Sequence, residues 1–225
     1  MNYEVDSSAP FNFLLKTPQG RNLILQGGLM GLLFIFIVPI FILSGYAVTC
    51  ARELALGRPA PRVFSWEHAG NGAKLVAVGI IAAAPVFVFW ILLAISAAQT
   101  AGAGYFGGYL AAPMMFGGFM LVGVYSLALA VLQPAFVAIL ATSGRISDCF
   151  RPRILAGMIK PWGWNYAIIF LLGYVSGLIA SLGFLLCFIG IFFTWFYSVT
   201  VQAHLASQLA RPFLRPDALP SSAAT

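Results

Sequence analysis

Three long blocks without a charged residue constrain this chain more than any other feature. Residues 22–51, 75–144 and 161–210 contain no Asp, Glu, Lys or Arg. A helix rises about 1.5 Å per residue and a bilayer has a hydrocarbon core of about 30 Å, so the blocks have room for one, two and two spans. The pattern predicts a chain that threads a bilayer.

Composition excludes several classes of protein. Hydrophobic residues make up 61% of the chain and charged residues 8%, whereas soluble domains have about 45–50% and about 25%. A water-soluble globular protein, a disordered chain and a nucleic-acid-binding domain are all excluded. The lipid bilayer is the first expected partner.

The predicted fold is an all-α, polytopic transmembrane helical bundle, because a membrane β-barrel needs alternating segments of about ten residues and these blocks are continuous. We expect about five hydrophobic spans, at 23–49, 75–98, 112–141, 162–183 and 187–209. The domain prediction is an N-terminal tail and interfacial segment (1–21), a transmembrane helical domain (22–211) and a disordered C-terminal tail (212–225).

The placement of basic residues predicts the orientation. The connections 50–74 and 143–161 together contain eight Lys and Arg, while 99–111 and 184–186 contain none. By the positive-inside rule, the basic connections and the C-terminus are cytoplasmic. We therefore expect a multi-pass protein of the bacterial inner membrane, with the Gly-rich stretch 102–109 as an external loop.

The first apolar block allows two interpretations. A single span containing Pro39 would place Lys16 and Arg21 outside, and we favour it. Alternatively the chain enters, reverses near Pro39 and returns as a re-entrant hairpin, which places all twelve basic residues inside.

The two basic connections are predicted to be amphipathic elements on the inner leaflet. In 146–159 an apolar residue recurs every four positions, at Ile146, Phe150, Ile154 and Met158, which is the period of a helix face. Pro152 is suited to open this helix and Pro161 to end it. A shorter element covers 63–74. The expected interfacial anchors are Trp66, Trp162, Trp164, Tyr166, Arg151 and Arg153.

Small residues at four-residue spacing predict close helix packing. The pattern occurs in the first, second and fourth segments, at Gly27, Gly31, Gly79, Ala83, Gly173, Gly177 and Ser181. Two interpretations stay open, since this face could pack within the chain or receive a helix of a partner.

Polar groups inside the spans are few. They are Gln26, Gln133, Ser176, Thr194, Gln202 and one ionisable side chain, His204, near the inner end of the last span. Buried ionisable residues usually mark proton or ion pathways, so their scarcity argues against a proton-coupled carrier or an ion channel. The candidates for cofactor binding are His68 and His204, although a lone interfacial histidine is more often a hydrogen-bonding neighbour of lipid headgroups. No cofactor is evident and no metal site is predicted.

We expect no enzymatic activity. General acid–base chemistry needs titratable groups within reach of one another, and every acidic residue lies outside the spans. Glu67, His68 and Asp148 form the only triad that could meet at the cytoplasmic surface, where solvated charges are the simpler interpretation. No catalytic residue is therefore predicted.

An ordered series of short motifs runs along residues 20–211. They are Gly45-Tyr46, Pro61 to Trp66, Gly72-Ala73-Lys74, Phe150-Arg151-Pro152-Arg153-Ile154, Asn165-Tyr166, and Tyr197 to Gln208 followed by Arg211. This series resembles the bacterial and archaeal membrane family called domain of unknown function 4013. The acidic pair usual in that family is reduced here to Glu67, and the third span is unusually Gly-rich at its start. The resemblance implies a multi-span membrane protein and supplies no activity or catalytic residues.

The leading functional hypothesis is a non-enzymatic accessory or scaffold subunit of a membrane protein complex, with a membrane protein as partner. One alternative is a carrier or permeability factor for an apolar or lipid-like substrate, which prolines within three spans favour. A further alternative is a pigment- or quinone-binding accessory subunit of an energy-converting complex, which depends on His68, His204 and the aromatic content.

Overall fold

The computed structural model of the chain describes residues 5–6, 18–32, 37–63, 65–101, 104–183 and 189–214. Within these ranges the chain is helical and has no strand, which confirms the all-α prediction. A 3₁₀ turn at Lys160–Trp162 precedes the seventh helix. The helices are α1 (Pro18–Leu32), α2 (Ile37–Ala55), α3 (Glu67–Ala101), α4 (Gly104–Ser143), α5 (Ile146–Cys149), α6 (Pro152–Ile159), α7 (Trp164–Leu182) and α8 (Ile189–Leu214).

Three of the described helices are long and apolar enough to cross a membrane. They are Glu67–Ser96 in α3, Phe116–Ser143 in α4 and Trp164–Leu182 in α7, with mean hydropathies of 2.7, 2.0 and 1.7. Large apolar side chains on these helices are exposed, Phe87 by 61% and Leu121 by 67%. Extensive exposed apolar surface marks an interaction site or a membrane. Together these features indicate a membrane protein.

The first apolar block forms two helices, α1 and α2, and not the single span over 23–49 that we favoured from the sequence. Pro39 is the third residue of α2 and therefore lies in its first turn. The first N–H groups of a helix have no intrahelical partner, so a proline is tolerated there. Pro39 is therefore compatible with the first turn of α2 as described.

The expected external loop and the expected amphipathic helix also differ from the structure. Helix α4 begins at Gly104, so residues 104–109 are helical, which satisfies their backbone groups within the segment. The stretch 146–159 is split into α5 and α6 by Phe150 and Arg151. Arg151 is extended (φ −87°, ψ 113°) because a residue before proline avoids the helical region, and Pro152 opens α6 as predicted.

Both predicted tails contribute helical residues. Helix α1 includes 18–21 and α8 includes 212–214. Residues 1–4, 7–17 and 215–225 of the predicted tails lie outside the described residues.

The chain contains two compact units, one of Met1–Val78 with Gln133–Thr225 and one of Gly79–Leu132. The second unit is an antiparallel helix pair. Tyr125 Oη donates a hydrogen bond of 2.7 Å to the carbonyl oxygen of Ala82. Trp90 and Phe119 meet edge to face with ring centroids 5.2 Å apart. The residue later in α3, Trp90, therefore contacts the residue earlier in α4, Phe119, as in an antiparallel pair.

In the first unit, α1 and the described part of the N-terminal tail contact α8. The backbone N–H of Asp6 donates to Gln208 Oε1 at 3.2 Å, and Gln208 Nε2 donates to the carbonyl oxygen of Asp6 at 3.1 Å. Further along, Gly27 lies so close to Phe196 that a side chain on it would overlap the ring. The contact of Gly27 thus lies nearer the start of α8 than the contact of Asp6.

Helix α2 returns along α8. Tyr46 packs on Phe196 with ring centroids 5.5 Å apart, and Gly27 of α1 contacts the same ring. Only residues 33–36 separate the two helices, so α1 and α2 form a helical hairpin on α8. The core cluster that holds it comprises Leu23, Ile42, Leu43, Tyr46, Ala47, Cys50, Val63, Phe196 and Ala203.

Helices α2 and α3 cross with their backbones in contact. A Cβ on Gly45 would overlap the carbonyl oxygen of His68, and a Cβ on Gly72 would overlap the carbonyl oxygen of Phe41. Glycine is required at both positions because the opposing atoms are backbone and have no freedom to move aside. These two glycines belong to the Gly-Tyr and Gly-Ala-Lys motifs of the sequence.

We predict that Gly72→Ala destabilises the protein by at least about 2 kcal/mol, toward the upper end of what overpacking costs. Gly70→Ala is the matched control on the same helix, since a Cβ there meets nothing within 4 Å. Thermal unfolding of the purified protein in mild detergent measures the difference. Equal melting temperatures for the two variants would contradict the backbone contact.

Candidate functional site

A chain of hydrogen bonds joins three helices of the first unit. Gln133 Nε2 on α4 donates to Gln202 Oε1 on α8 at 3.0 Å, and Gln202 Nε2 donates to Ser198 Oγ at 3.3 Å. Ser198 Oγ lies 3.1 Å from Ser176 Oγ on α7, which donates to the carbonyl oxygen of Gly173 at 2.7 Å. We call this the polar chain.

The sequence marks most of the polar chain in advance. The sequence singles out Gln133, Ser176 and Gln202 as polar residues inside apolar blocks. It does not single out Ser198. The signal that identifies Ser198 is its position four residues before Gln202, which places both side chains on one face of α8.

A cavity of about 430 Å³ lies beside the polar chain. Its volume falls in the range of small-molecule sites, about 300–1,000 Å³. Five helices contribute to its wall. The lining residues are Leu43, Ser44 and Ala47 of α2, Leu75 of α3, Gln133 and Val137 of α4, Gly177, Ala180 and Ser181 of α7, and Trp195, Ser198, Val199, Gln202 and Ala203 of α8.

The wall of this cavity is apolar apart from amide and hydroxyl groups. None of the described residues that line it is Asp, Glu, Lys, Arg or His. Gln133 and Ser181 are exposed, so the cavity opens on the surface of the first unit. The site is therefore an uncharged cleft with a few polar groups, as ligand sites commonly are.

The polar chain lies well inside the helices that carry it. Gln133 is ten residues from the end of α4 at Ser143, and Gln202 is nine residues before Arg211. At about 1.5 Å per residue these separations are about 15 Å and about 14 Å, half the thickness of a hydrocarbon core of about 30 Å. Helices that cross a bilayer would hold the polar chain near its centre.

Gln133 has hydrogen-bonding capacity left over. A glutamine amide offers two N–H donors and one carbonyl oxygen, and the one hydrogen bond formed by the Gln133 side chain uses a single donor. One N–H and the carbonyl oxygen of this exposed side chain thus form no described hydrogen bond. In hydrocarbon an unsatisfied polar group costs several kcal/mol, so a polar partner at this position is stabilising.

The two candidate histidines do not lie in the cavity wall. His68 is 3% exposed, its Nε2 lies 2.8 Å from the carbonyl oxygen of Arg62, and its ring meets Tyr46 edge to face at 5.8 Å. His204 is half-buried on α8, and its carbonyl oxygen accepts a hydrogen bond from Ser207.

Glu67 and Asp148, the acidic members of the candidate triad, have separate surroundings. Glu67 is exposed at the start of α3, where its backbone N–H donates to Ser65 Oγ at 3.3 Å. Asp148 is buried and lies 3.3 Å from Arg151. Burial, with the Asp148 carboxylate next to it, raises the pKa of the Cys149 thiol to about 11, which leaves that cysteine unreactive near neutral pH. Among the described residues no three His, Cys, Asp or Glu are grouped to hold a metal ion.

The expected packing glycines fall into two groups. Gly27 lies against Phe196 within this chain, and Gly31 belongs to the same helix, α1. In contrast, a Cβ on Gly79, Gly173 or Gly177 would meet nothing within 4 Å. Ala83 is half-buried, and exposed Ser181 donates to the carbonyl oxygen of Gly177 at 3.1 Å. The small-residue face of α7 is thus open.

The expected interfacial anchors differ in exposure. Trp66 and Trp164 are 75% and 83% exposed, whereas Trp162 and Tyr166 are each 5% exposed. Arg151 and Arg153 are exposed. The two exposed tryptophans and the two arginines have the accessibility with which a side chain reaches lipid headgroups, whereas Trp162 and Tyr166 do not.

Comparison with known proteins identifies a family. No curated protein and no solved structure matches this chain at a significant level. A family model described as "Protein of unknown function (DUF4013)" matches residues 29–201, which include α2 to α7, the whole polar chain except Gln202, and the Gly45 and Gly72 crossing. Since the match extends over more than half of the sequence, the chain belongs to the DUF4013 family.

Proposed function

We propose that this protein binds an amphipathic, lipid-like molecule in the cavity beside the polar chain. The observation that carries the proposal is the exposed amide of Gln133, which has donor and acceptor capacity left over in the wall of an uncharged, mostly apolar cleft. Leu43, Val137 and Val199 offer apolar contact to a hydrocarbon chain in the same cleft. Such a wall suits a molecule that is mostly hydrocarbon with one polar end.

Binding of this kind is what a carrier or permeability factor for an apolar substrate requires as its first step. It involves no bond making, because none of the described residues that line the cavity is a titratable group able to transfer a proton. The proposed activity is accordingly non-enzymatic, and the molecule enters from the bilayer through the open side, where Gln133 and Ser181 are exposed.

The proposed topology places both ends of the chain on the cytoplasmic side of a bacterial inner membrane. The mutual hydrogen bonds of Asp6 and Gln208 support it, because they hold the N-terminal tail at the end of α8. Basic residues follow α2 and α4, as the positive-inside rule requires of cytoplasmic connections. In this topology α1 and α2 form a re-entrant hairpin, and α3, α4, α7 and α8 cross the bilayer.

We expect single cysteines at position 6 and position 213 to share one compartment. In a chain without its native cysteines, Asp6→Cys and Phe213→Cys should resist a membrane-impermeant maleimide in spheroplasts and react after lysis. Both hydrogen bonds between Asp6 and Gln208 use the backbone of Asp6, so the substitution leaves their donor and acceptor in place. Labelling of Asp6→Cys in sealed spheroplasts would contradict the hairpin and favour a single first span.

We expect the protein purified from membranes in mild detergent to retain a lipid-sized molecule that native mass spectrometry detects. Gln202→Leu and Gln133→Leu should lower its occupancy about tenfold, since losing one or two hydrogen bonds of about 1 kcal/mol each has that effect. Gln26→Leu is the matched control, because Gln26 is an exposed glutamine on α1 outside the cavity. Unchanged occupancy in both cavity variants would contradict the proposal.

A role as an accessory or scaffold subunit is the second candidate function. It is favoured by the open face of α7, where Gly173 has no neighbour within 4 Å and the flanking Leu171 and Tyr174 are 58% and 54% exposed. A helix of a partner would find close backbone approach there.

The test of this second candidate is purification in mild detergent from the native membrane. A stable partner that is lost in Gly173→Leu and kept in Gly70→Leu would support it. A protein that purifies alone would argue against it.

A further inference from the structure

The hydrogen-bonding groups in the cavity specify the polar end of the molecule more closely than the proposed function does. We infer that the cavity takes an uncharged lipid alcohol, that is, a long hydrocarbon molecule whose polar end is a hydroxyl group with no ionised group beside it. The inference depends on the proposed binding function and names the class of ligand.

The charge of the cavity wall decides against an ionised polar end. The described lining residues carry no ionisable side chain. Gln133 lies about 15 Å from the end of α4 at Ser143 and Gln202 about 14 Å from Arg211, which is near the centre of a bilayer in the proposed topology. A phosphate or carboxylate there would have no counter-charge, and an isolated ion in an apolar medium is strongly disfavoured. The basic residues that could neutralise an anion, such as Arg145 and Arg211, lie at the ends of the helices. An anionic headgroup therefore belongs at the membrane surface and not in this cavity.

The unused hydrogen-bonding groups of Gln133 decide in favour of a hydroxyl. In the polar chain, Gln202 Oε1 accepts a hydrogen bond from Gln133 Nε2, and Gln202 Nε2 donates one to Ser198 Oγ. Gln133 consequently presents one N–H and its carbonyl oxygen together. A hydroxyl group donates one hydrogen bond and accepts others, so it satisfies both atoms. A ketone, quinone or ester oxygen only accepts and would leave the Gln133 carbonyl oxygen unpaired.

One face of α8 places apolar side chains beside the polar ones. Trp195, Ser198, Val199 and Gln202 line the cavity at positions i, i+3, i+4 and i+7, which lie on one helix face. The polar members are interleaved with Trp195 and Val199 along that face. A hydroxyl at Gln133 and Gln202 thus leaves the attached hydrocarbon in contact with Trp195 and Val199.

Three photoactivatable glycerolipids with identical acyl chains test this inference. One is a diacylglycerol, with a free hydroxyl; the second is its acetate ester, which accepts but does not donate; the third is phosphatidic acid, which is anionic. The intact protein in nanodiscs is irradiated with each probe, and labelled peptides are identified by mass spectrometry. Only labelling of the cavity-lining stretches 133–137 and 195–203 is scored.

The expected result is that diacylglycerol labels these stretches about tenfold more than either other probe, the ratio that corresponds to about 1.4 kcal/mol. Gln133→Leu should remove this preference, and Gln26→Leu should keep it. The comparison of probes on the unmodified protein stands by itself if a variant does not fold.

Equal labelling by the acetate would overturn the assignment of a hydroxyl. Equal labelling by phosphatidic acid would overturn the assignment of an uncharged end, while the proposed binding function would stand. If none of the probes labels the cavity above other surfaces, the inference is wrong. If purified protein also retains no molecule, the proposed function is wrong with it.

Discussion

The packing of α1, α2 and α7 against α8 is the interaction on which the geometry of the first unit depends. Phe196 is fully buried between Gly27 of α1 and Tyr46 of α2. The missing side chain of Gly27 is what allows α1 to lie on that ring. The face of α8 from Trp195 to Gln202 lines the cavity together with residues of α2, α3, α4 and α7, so the position of the hairpin on α8 sets the shape of the cavity wall.

The hydrocarbon core of a bilayer adds a second constraint on the polar side chains. Inside it, they find hydrogen-bond partners only within the protein or on a bound molecule. The polar chain follows this rule from Gly173 through Ser176, Ser198 and Gln202, each of which has a described partner. It ends at Gln133, whose amide is only partly used. The open end of the chain coincides with the open side of the cavity, and this coincidence is the physical basis of the proposed function.

Much of the helical architecture follows from charge placement in the sequence. The charge-free blocks predicted helices in the right places, and Pro152 predicted the start of α6. The division into α1 and α2 was one of two interpretations that the sequence left open, because a proline inside an apolar run is compatible both with a kink in one span and with the reversal of a hairpin. The helical start of α4 was missed because Gly-rich sequence is typical of loops in water, where backbone groups have solvent as a partner, and not in lipid.

The site was predicted only in part. Gln133, Ser176 and Gln202 are conspicuous as polar residues among apolar ones, and each joins the polar chain. The cavity itself is space between five helices that are distant in sequence, and no local pattern encodes it. The same holds for Gly45 and Gly72, which lie within motifs of the family but whose requirement for glycine arises from a helix crossing. His68 and His204 attracted attention as ionisable groups, and their described contacts place them outside the cavity wall.

The most direct test of the central claim is a density map of the protein in nanodiscs formed with lipids of its native membrane. The account predicts elongated density in the cavity, along Trp195 and Val199, that ends within about 3 Å of the Gln133 amide, the distance of a hydrogen bond. A cavity closed by α4 and α7, with Gln133 paired entirely within the protein, would contradict it.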